Sequence, residues 1–257
     1  MDNAKLLEIA LTLADLADTI TLDRFRATDL VVETKPDLTP VSEADQAVER
    51  AIREHLSVVA PDHSVLGEEY GETDTGGTIR WIVDPIDGTK NYVRGVPVWA
   101  TLLGIERDGE LVVGVVSAPA LGSRWWGGRG VGAWRDGQAI HASRVAALND
   151  AQIAFAWDTK DRFEENGIGN KMLLLAHQCW RTRGFGDFWQ HMMVADGSCD
   201  ISIDPILNYW DAAALIPILE AAGATWSTID GSTDSATCAS LVCTNGVLHE
   251  TVLQALA

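Results

Sequence analysis

The 257 residues carry 37 acidic and 19 basic side chains, a formal net charge of −18, so long-range repulsion disfavours nucleic acid and anionic membrane surfaces as partners. Hydrophobic residues make up 47% and charged residues 22%, the balance of a soluble globular chain, and no window approaches the roughly 18 consecutive apolar residues of a membrane span. An anionic substrate would therefore need metal cations to mediate its binding.

Apolar side chains at Leu6, Ile9, Ala10, Leu13, Leu16, Ala17 and Ile20 repeat near 3.6 residues, which predicts an amphipathic helix over residues 3 to 25. Acids run through it and no basic region precedes it, so it reads as a mature helix rather than an export signal. The TKPDLTP stretch at 34 to 40 breaks the pattern. Ser42 with Asp45 three residues later forms a capping-box start for a second helix, apolar along Ala44, Val48, Ile52, Leu56 and Val59, which Pro61 stops.

From Ser64 the pattern changes to short β-prone runs, SVLG, IRWIVDP, VWATLLGIE, ELVVGVVSAP, SRWWGG and GAWR, with Asp108-Gly109 and Asp136-Gly137 as turns. These predict a largely antiparallel sheet. After about residue 145 the runs AQIAFAW, DISI and SLVCT alternate with helical stretches near 167 to 178, 187 to 197, 209 to 222 and 246 to 256, an α/β layering. The expected organisation is a single unit over 1 to 257, with subdomains at about 1 to 145 and 146 to 257 and a site between them. Cys179, Cys199, Cys238 and Cys243 show neither a CxxC pair nor zinc-like spacing with the six histidines, and read as reduced thiols of a cytoplasmic protein.

Five acids sit where apolar runs end: Glu68 and Glu69 after SVLG, Asp84 and Asp87 after IRWIV, and Asp211 after NYW. Converging carboxylates would repel one another and raise each other's pKa unless cations held them ionised. An all-oxygen set suits a hard cation, Mg²⁺ above all, and does not suit zinc. Two such ions are a known arrangement for phosphoryl transfer. Gly88 lets a phosphate approach the backbone, where its N–H and that of Thr89 can donate, and the Thr89 hydroxyl can hold a water in line. Taken alone, the DPIDGT string is equally well a turn.

Together, GEE at 67 to 69, WIVDPIDGT at 81 to 89 and WDAAALIPILEAAGA at 210 to 224 resemble the inositol monophosphatase family of Mg²⁺-dependent phosphomonoesterases over nearly the whole chain. The resemblance implies a layered α-β-α-β-α sandwich of the α/β class and, by family habit, a homodimer. It implies two or three Mg²⁺ ions on Glu68, Asp84, the Ile86 carbonyl, Asp87 and Asp211. Glu69 would stand beside them, behind the ions or on a third, weaker one. Asp37 of DLTP would pair with Thr89 to orient and deprotonate the attacking water. Gly88 and Thr89 would bind the phosphate, and Asp87 and Asp211 would face the substrate as well as the ions.

The strings KNYVRGVPVWATLLG at 90 to 104, VVGVVSAPALGSRWWGGRGVGAW at 112 to 134 and RTRGFGDFWQHMMVADGSCDISIDP at 181 to 205 look most like the branch of that family that acts on histidinol phosphate in histidine synthesis. Inositol phosphate and related small phosphates are the alternative. Histidinol carries an ammonium and an imidazole, which need acceptors and a flat apolar wall. Asp187 and Asp204 suit the cation, and Phe188 and Trp189 could form the wall. Asp204 stands where inositol-directed relatives usually carry a glutamate. The blander readings are that Asp187 caps the helix it precedes, that Trp189 packs inside and that His191 belongs to the core.

Overall fold

The computed structural model describes residues 1–36, 39–156 and 167–257. Helix α1 (Asn3–Arg24) starts where the Asp2 carboxylate accepts from the Lys5 amide at 2.8 Å, and it buries Leu6, Ile9, Ala10, Leu13 and Ala17. A hairpin of β1 (Val32–Thr34) and β2 (Pro40–Ser42) leads into α2 (Glu43–Val59). The predicted capping box is formed, with the Ser42 amide donating to Asp45 and the Ala44 amide to the Ser42 hydroxyl.

Strands β3 (Ser64–Gly67), β4 (Gly71–Thr73) and β5 (Ile79–Asp87) come next, then the short helix α3 (Thr89–Val93). β6 (Ala100–Arg107), β7 (Glu110–Ala118), β8 (Ser123–Gly128), β9 (Gly132–Arg135) and β10 (Gln138–Ala139) complete an eight-stranded sheet of order β10-β9-β8-β7-β6-β5-β3-β4. Its neighbours are antiparallel apart from β3 with β5, which run parallel.

The second sheet comprises β11 (Gln152–Phe155), β12 (Arg181–Arg183), β13 (Ile201–Asp204), β14 (Thr225–Ser227) and β15 (Leu241–Thr244), in the order β12-β11-β13-β15-β14. Around it lie α4 (Ile168–Ala176), α5 (Asp187–Ala195), α6 (Tyr209–Ala213), α7 (Leu215–Ala221) and α8 (His249–Leu256). The helix predicted over 209 to 222 is divided at Ala214, whose backbone stays right-handed helical. Pro217 has no N–H to offer the Ala213 carbonyl, so one rung of the helix is missing. β12 and β14 escape the sequence pattern because RTR and TWS carry too few apolar residues to read as strands.

Alternation along the first sheet assigns its two faces. Trp81, Val83, Leu103, Ile105, Val113 and Val115 pack against α1 and α2. Ile82, Leu102 and Val116 pack instead with Phe188, Met192 and the residues of α6 and α7, which also meet Trp226, Leu241 and Cys243 of the second sheet. That sheet's other face, Ile153, Phe155, Ile201, Ile203 and Val242, lies under α4 and α8. The layering is therefore α-β-α-β-α, as the family resemblance implies. A Cβ on Gly114 would stand 1.9 Å from the Ala214 carbonyl oxygen. Only glycine lets the junction of α6 and α7 rest so close to the sheet, and this contact carries Asp211 up to the end of β5.

The four cysteines are free thiols, as expected. No helix among the described residues is long and apolar enough to cross a membrane.

Candidate active site

Residues three apart on a regular strand point to opposite faces, so Asp84 and Asp87 should diverge. They do not. Asp84 pairs with Leu102 and Asp87 with Ala100, three steps on β5 against two on β6. The extra residue is a bulge that returns Asp87 to the side of Asp84. It is held by the Ile86 amide donating to Asp84 at 3.0 Å and the Thr101 hydroxyl donating to the Pro85 carbonyl at 2.8 Å. Asp211, at the third position of α6, accepts from the Asn208 amide at 2.7 Å. Oxygens of Asp84, Asp87 and Asp211 all lie within 4.8 Å of one another.

Glu68 arrives through the parallel pairing of β3 and β5. Gly67 is in register with Val83, and the Glu68 amide donates to the Val83 carbonyl at 3.1 Å, which sets Glu68 beside Asp84. The turn after it is held by Glu49, a fully buried carboxylate on α2 that accepts from the Glu69 amide at 2.7 Å and the Tyr70 amide at 3.2 Å. Arg53 balances its charge at 2.8 Å. A Cβ on Gly67 would overlap the Glu49 carboxyl, 2.0 Å from its Oε1, so glycine and glutamate there are one device for shaping the GEE turn.

Thr89 begins α3 immediately after Gly88, whose φ of 80° lies in the left-handed region. The Thr89 hydroxyl lies 3.0 Å from the Ile86 carbonyl and 3.4 Å from Asp45 Oδ1. Asp37, expected to be the partner of Thr89, lies outside the described residues. Among the described residues the acid that meets Thr89 is Asp45, which the sequence shows only as part of a helix cap. Asp45 and Glu49 are one helical turn apart on α2, and both turn towards the site. The available signal was two acids on or beside a stripe of buried apolar residues, where unpaired carboxylates are rare.

Burial raises the pKa of Asp84 well above the carboxylate range, reinforced by Glu68, Asp87 and Asp211. Asp87 is raised in the same way by burial, then by Asp187 and Asp211. Burial lifts Asp211 to about 7 against the opposing hydrogen bond from Asn208. It lifts Glu69 to about 7 despite Lys35, and Asp45 to about 6 despite Ser42. Lys35, which the sequence did not single out, donates to Glu68 and Glu69 at 2.7 Å each. One ammonium is shared by two acids, and the three aspartates stand crowded beside them. An oxygen-only set in that state fits a hard divalent ion.

The cluster opens into a cavity of about 460 Å³ lined by Lys35, Glu68, Asp84, Asp87, Thr89 and Asp211, among others. A second cavity of about 250 Å³ shares Asp87, Asp187 and Asp211 with it and adds Asp204 and His191. Asp187 does not cap α5 in the expected manner. Gly186 is the cap residue, and the Asp187 carboxylate instead accepts from the Asn91 side chain at 2.9 Å, with Asp187 itself at φ 47°. The amide after it, on Phe188, donates to Asp87 at 2.8 Å. Trp189 is half-buried, its ring 5.1 Å from that of Phe185, in keeping with the packing role. Phe188 lines the smaller cavity.

Five alternating layers with an oxygen-only acid cluster at the end of the first sheet define a layered α/β protein with a candidate metal site. The chain belongs to the inositol monophosphatase family, whose model matches residues 2–257. A histidinol-phosphatase from Streptomyces coelicolor is 49% identical over 256 residues, covering 96% of this chain and 95% of the relative. One from Mycobacterium tuberculosis is 46% identical over 255 residues, covering 97% of each. Among solved structures, the extragenic suppressor protein suhB from Bartonella henselae is similar with a TM-score of 0.91 at 26% identity, covering 98% of both chains.

Proposed function

We propose that the protein is a Mg²⁺-dependent phosphomonoesterase that hydrolyses L-histidinol phosphate to L-histidinol and phosphate. The observation that carries this reading is the joining of the acid cluster to a second, acid-lined cavity, which gives one molecule a place for its phosphate and a place for a cationic leaving group. The two relatives named histidinol-phosphatases support the same substrate.

Glu68, Asp84, the Ile86 carbonyl, Asp87 and Asp211 would hold the ions. Bound there, Mg²⁺ supplies a lowered pKa for water and positive charge for the departing oxygen. The protein's own groups do the rest. Thr89 and Asp45 orient the attacking water, and Asp45 accepts its proton by way of the Thr89 hydroxyl. The backbone at Gly88 and Thr89 faces the phosphate. Asp187 and Asp204 receive the substrate ammonium. Lys35, on Glu68 and Glu69, closes the acid cluster from the side of β1.

The test is turnover of L-histidinol phosphate beside inositol 1-phosphate and fructose 1,6-bisphosphate at equal Mg²⁺. The expected outcome is a kcat/KM for histidinol phosphate at least about tenfold higher than for either alternative, a gap of roughly 1.4 kcal/mol. Equal or greater turnover of inositol 1-phosphate would reassign the substrate.

A further inference from the structure

Helix α5 carries His191 four residues after Asp187, so the two lie on one side of the helix. His191 is 1% exposed, and its Nδ1 sits 2.8 Å from the Ser202 hydroxyl. Its Nε2 is buried with no hydrogen-bond partner among the described residues. A buried polar atom left unpaired costs on the order of 1–3 kcal/mol, so its retention calls for an explanation. His191 lines the smaller cavity together with Asp187, Asp204, Phe188 and Lys90. At about 250 Å³ that space equals about eight waters at ~30 Å³ each, room for an organic group rather than a single solvent molecule. Burial pushes the His191 pKa down to about 3, so the ring stays neutral and adds no positive charge beside Asp187 and Asp204.

We propose that His191 is a specificity-determining residue whose Nε2 hydrogen-bonds the heteroaromatic ring of the leaving group, while Asp187 and Asp204 take its ammonium. The inference rests on the histidinol phosphate reading and assigns one contact within it. Ser202 fixes the His191 ring through Nδ1. Whichever tautomer that bond selects, Nε2 is left as a single donor or a single acceptor. A neutral imidazole on the substrate offers one of each and can match either, and Phe188 supplies an apolar flank. A substrate with the ammonium and no ring offers Nε2 no matching group.

The experiment compares wild type, His191→Leu and His191→Gln on two substrates, L-histidinol phosphate and 2-aminopropyl phosphate, which keeps the ammonium and lacks the ring. The quantity read is the ratio of the two kcat/KM values. His191→Leu is expected to lower that ratio about tenfold, mainly through KM for histidinol phosphate. His191→Gln, which places a polar group at similar reach, recovers part of the loss. An unchanged ratio in His191→Leu, whether or not both activities drop, overturns the proposal and returns His191 to packing. Wild-type preference for inositol 1-phosphate over histidinol phosphate is a different failure, which removes the functional reading itself.

Discussion

Asp84→Asn lowers phosphatase turnover by about a thousandfold or more, on the order of 4 kcal/mol of barrier, and at the same time stabilises the metal-free protein. Both effects have one origin. Asp84 is buried beside Glu68, Asp87 and Asp211, and its pKa stands well above the ordinary range. At neutral pH the folded chain without metal must either ionise it against its neighbours or keep it protonated when the unfolded chain would not. Asparagine removes that cost and can still accept from the Ile86 amide as Asp84 does. A gain of about 1–2 kcal/mol would raise the melting temperature by roughly 2–8 °C for a chain of this size. Activity at saturating Mg²⁺ and calorimetry in chelator measure the two halves. Turnover within a few-fold of wild type would refute Asp84 as a metal ligand, and a lower melting temperature in chelator would refute the charge-crowding argument.

Thr89→Ala and Asp45→Asn each lower kcat about a hundredfold, within the ~10²–10⁴ typical of positioned proton transfer. Thr89 lies between the Ile86 carbonyl and Asp45, so the two side chains act in series on one water. Groups that act as a unit are not additive, and the double variant should lose little more than either single one. Asp45 must be ionised to accept the proton, and burial places its pKa at about 6. Wild-type kcat therefore rises with pH through about 6, and Asp45→Asn flattens that limb. A double variant whose loss is the product of the single losses, or an acid limb that survives Asp45→Asn, contradicts the relay.

The layering followed from the family resemblance, and the residues themselves made the helices, the hairpin sheet and the acids at the ends of apolar runs legible, three of which the fold gathers into one cluster. What the sequence hid was the device and the depth. A turn across Pro85 and Ile86 can aim Asp84 and Asp87 at one point, but that this is done by a bulge set by pairing with β6 shows only in the fold. Asp45 was accounted for by its cap with Ser42, which concealed its second contact with Thr89. Glu49 and Lys35 act on the GEE turn from elements 18 or more residues away, a proximity visible only after folding. His191 read as an ordinary core residue because the sequence does not show that one of its nitrogens has no hydrogen-bond partner among the described residues.

The central claim is that the acid cluster is held for a divalent cation, and the melting temperature with and without Mg²⁺ across pH tests it most directly. Between the ordinary carboxylate range and about 7, Asp211 and Glu69 hold protons in the folded chain that the unfolded chain releases, so their contribution to stability falls as pH rises through that window. A cation bound at the cluster must displace those protons and is bound more tightly once they are gone. The account predicts that the Mg²⁺-induced rise in melting temperature is small near pH 5.5 and grows steadily to pH 8. A rise of the same size at both ends, or none at either, would contradict it.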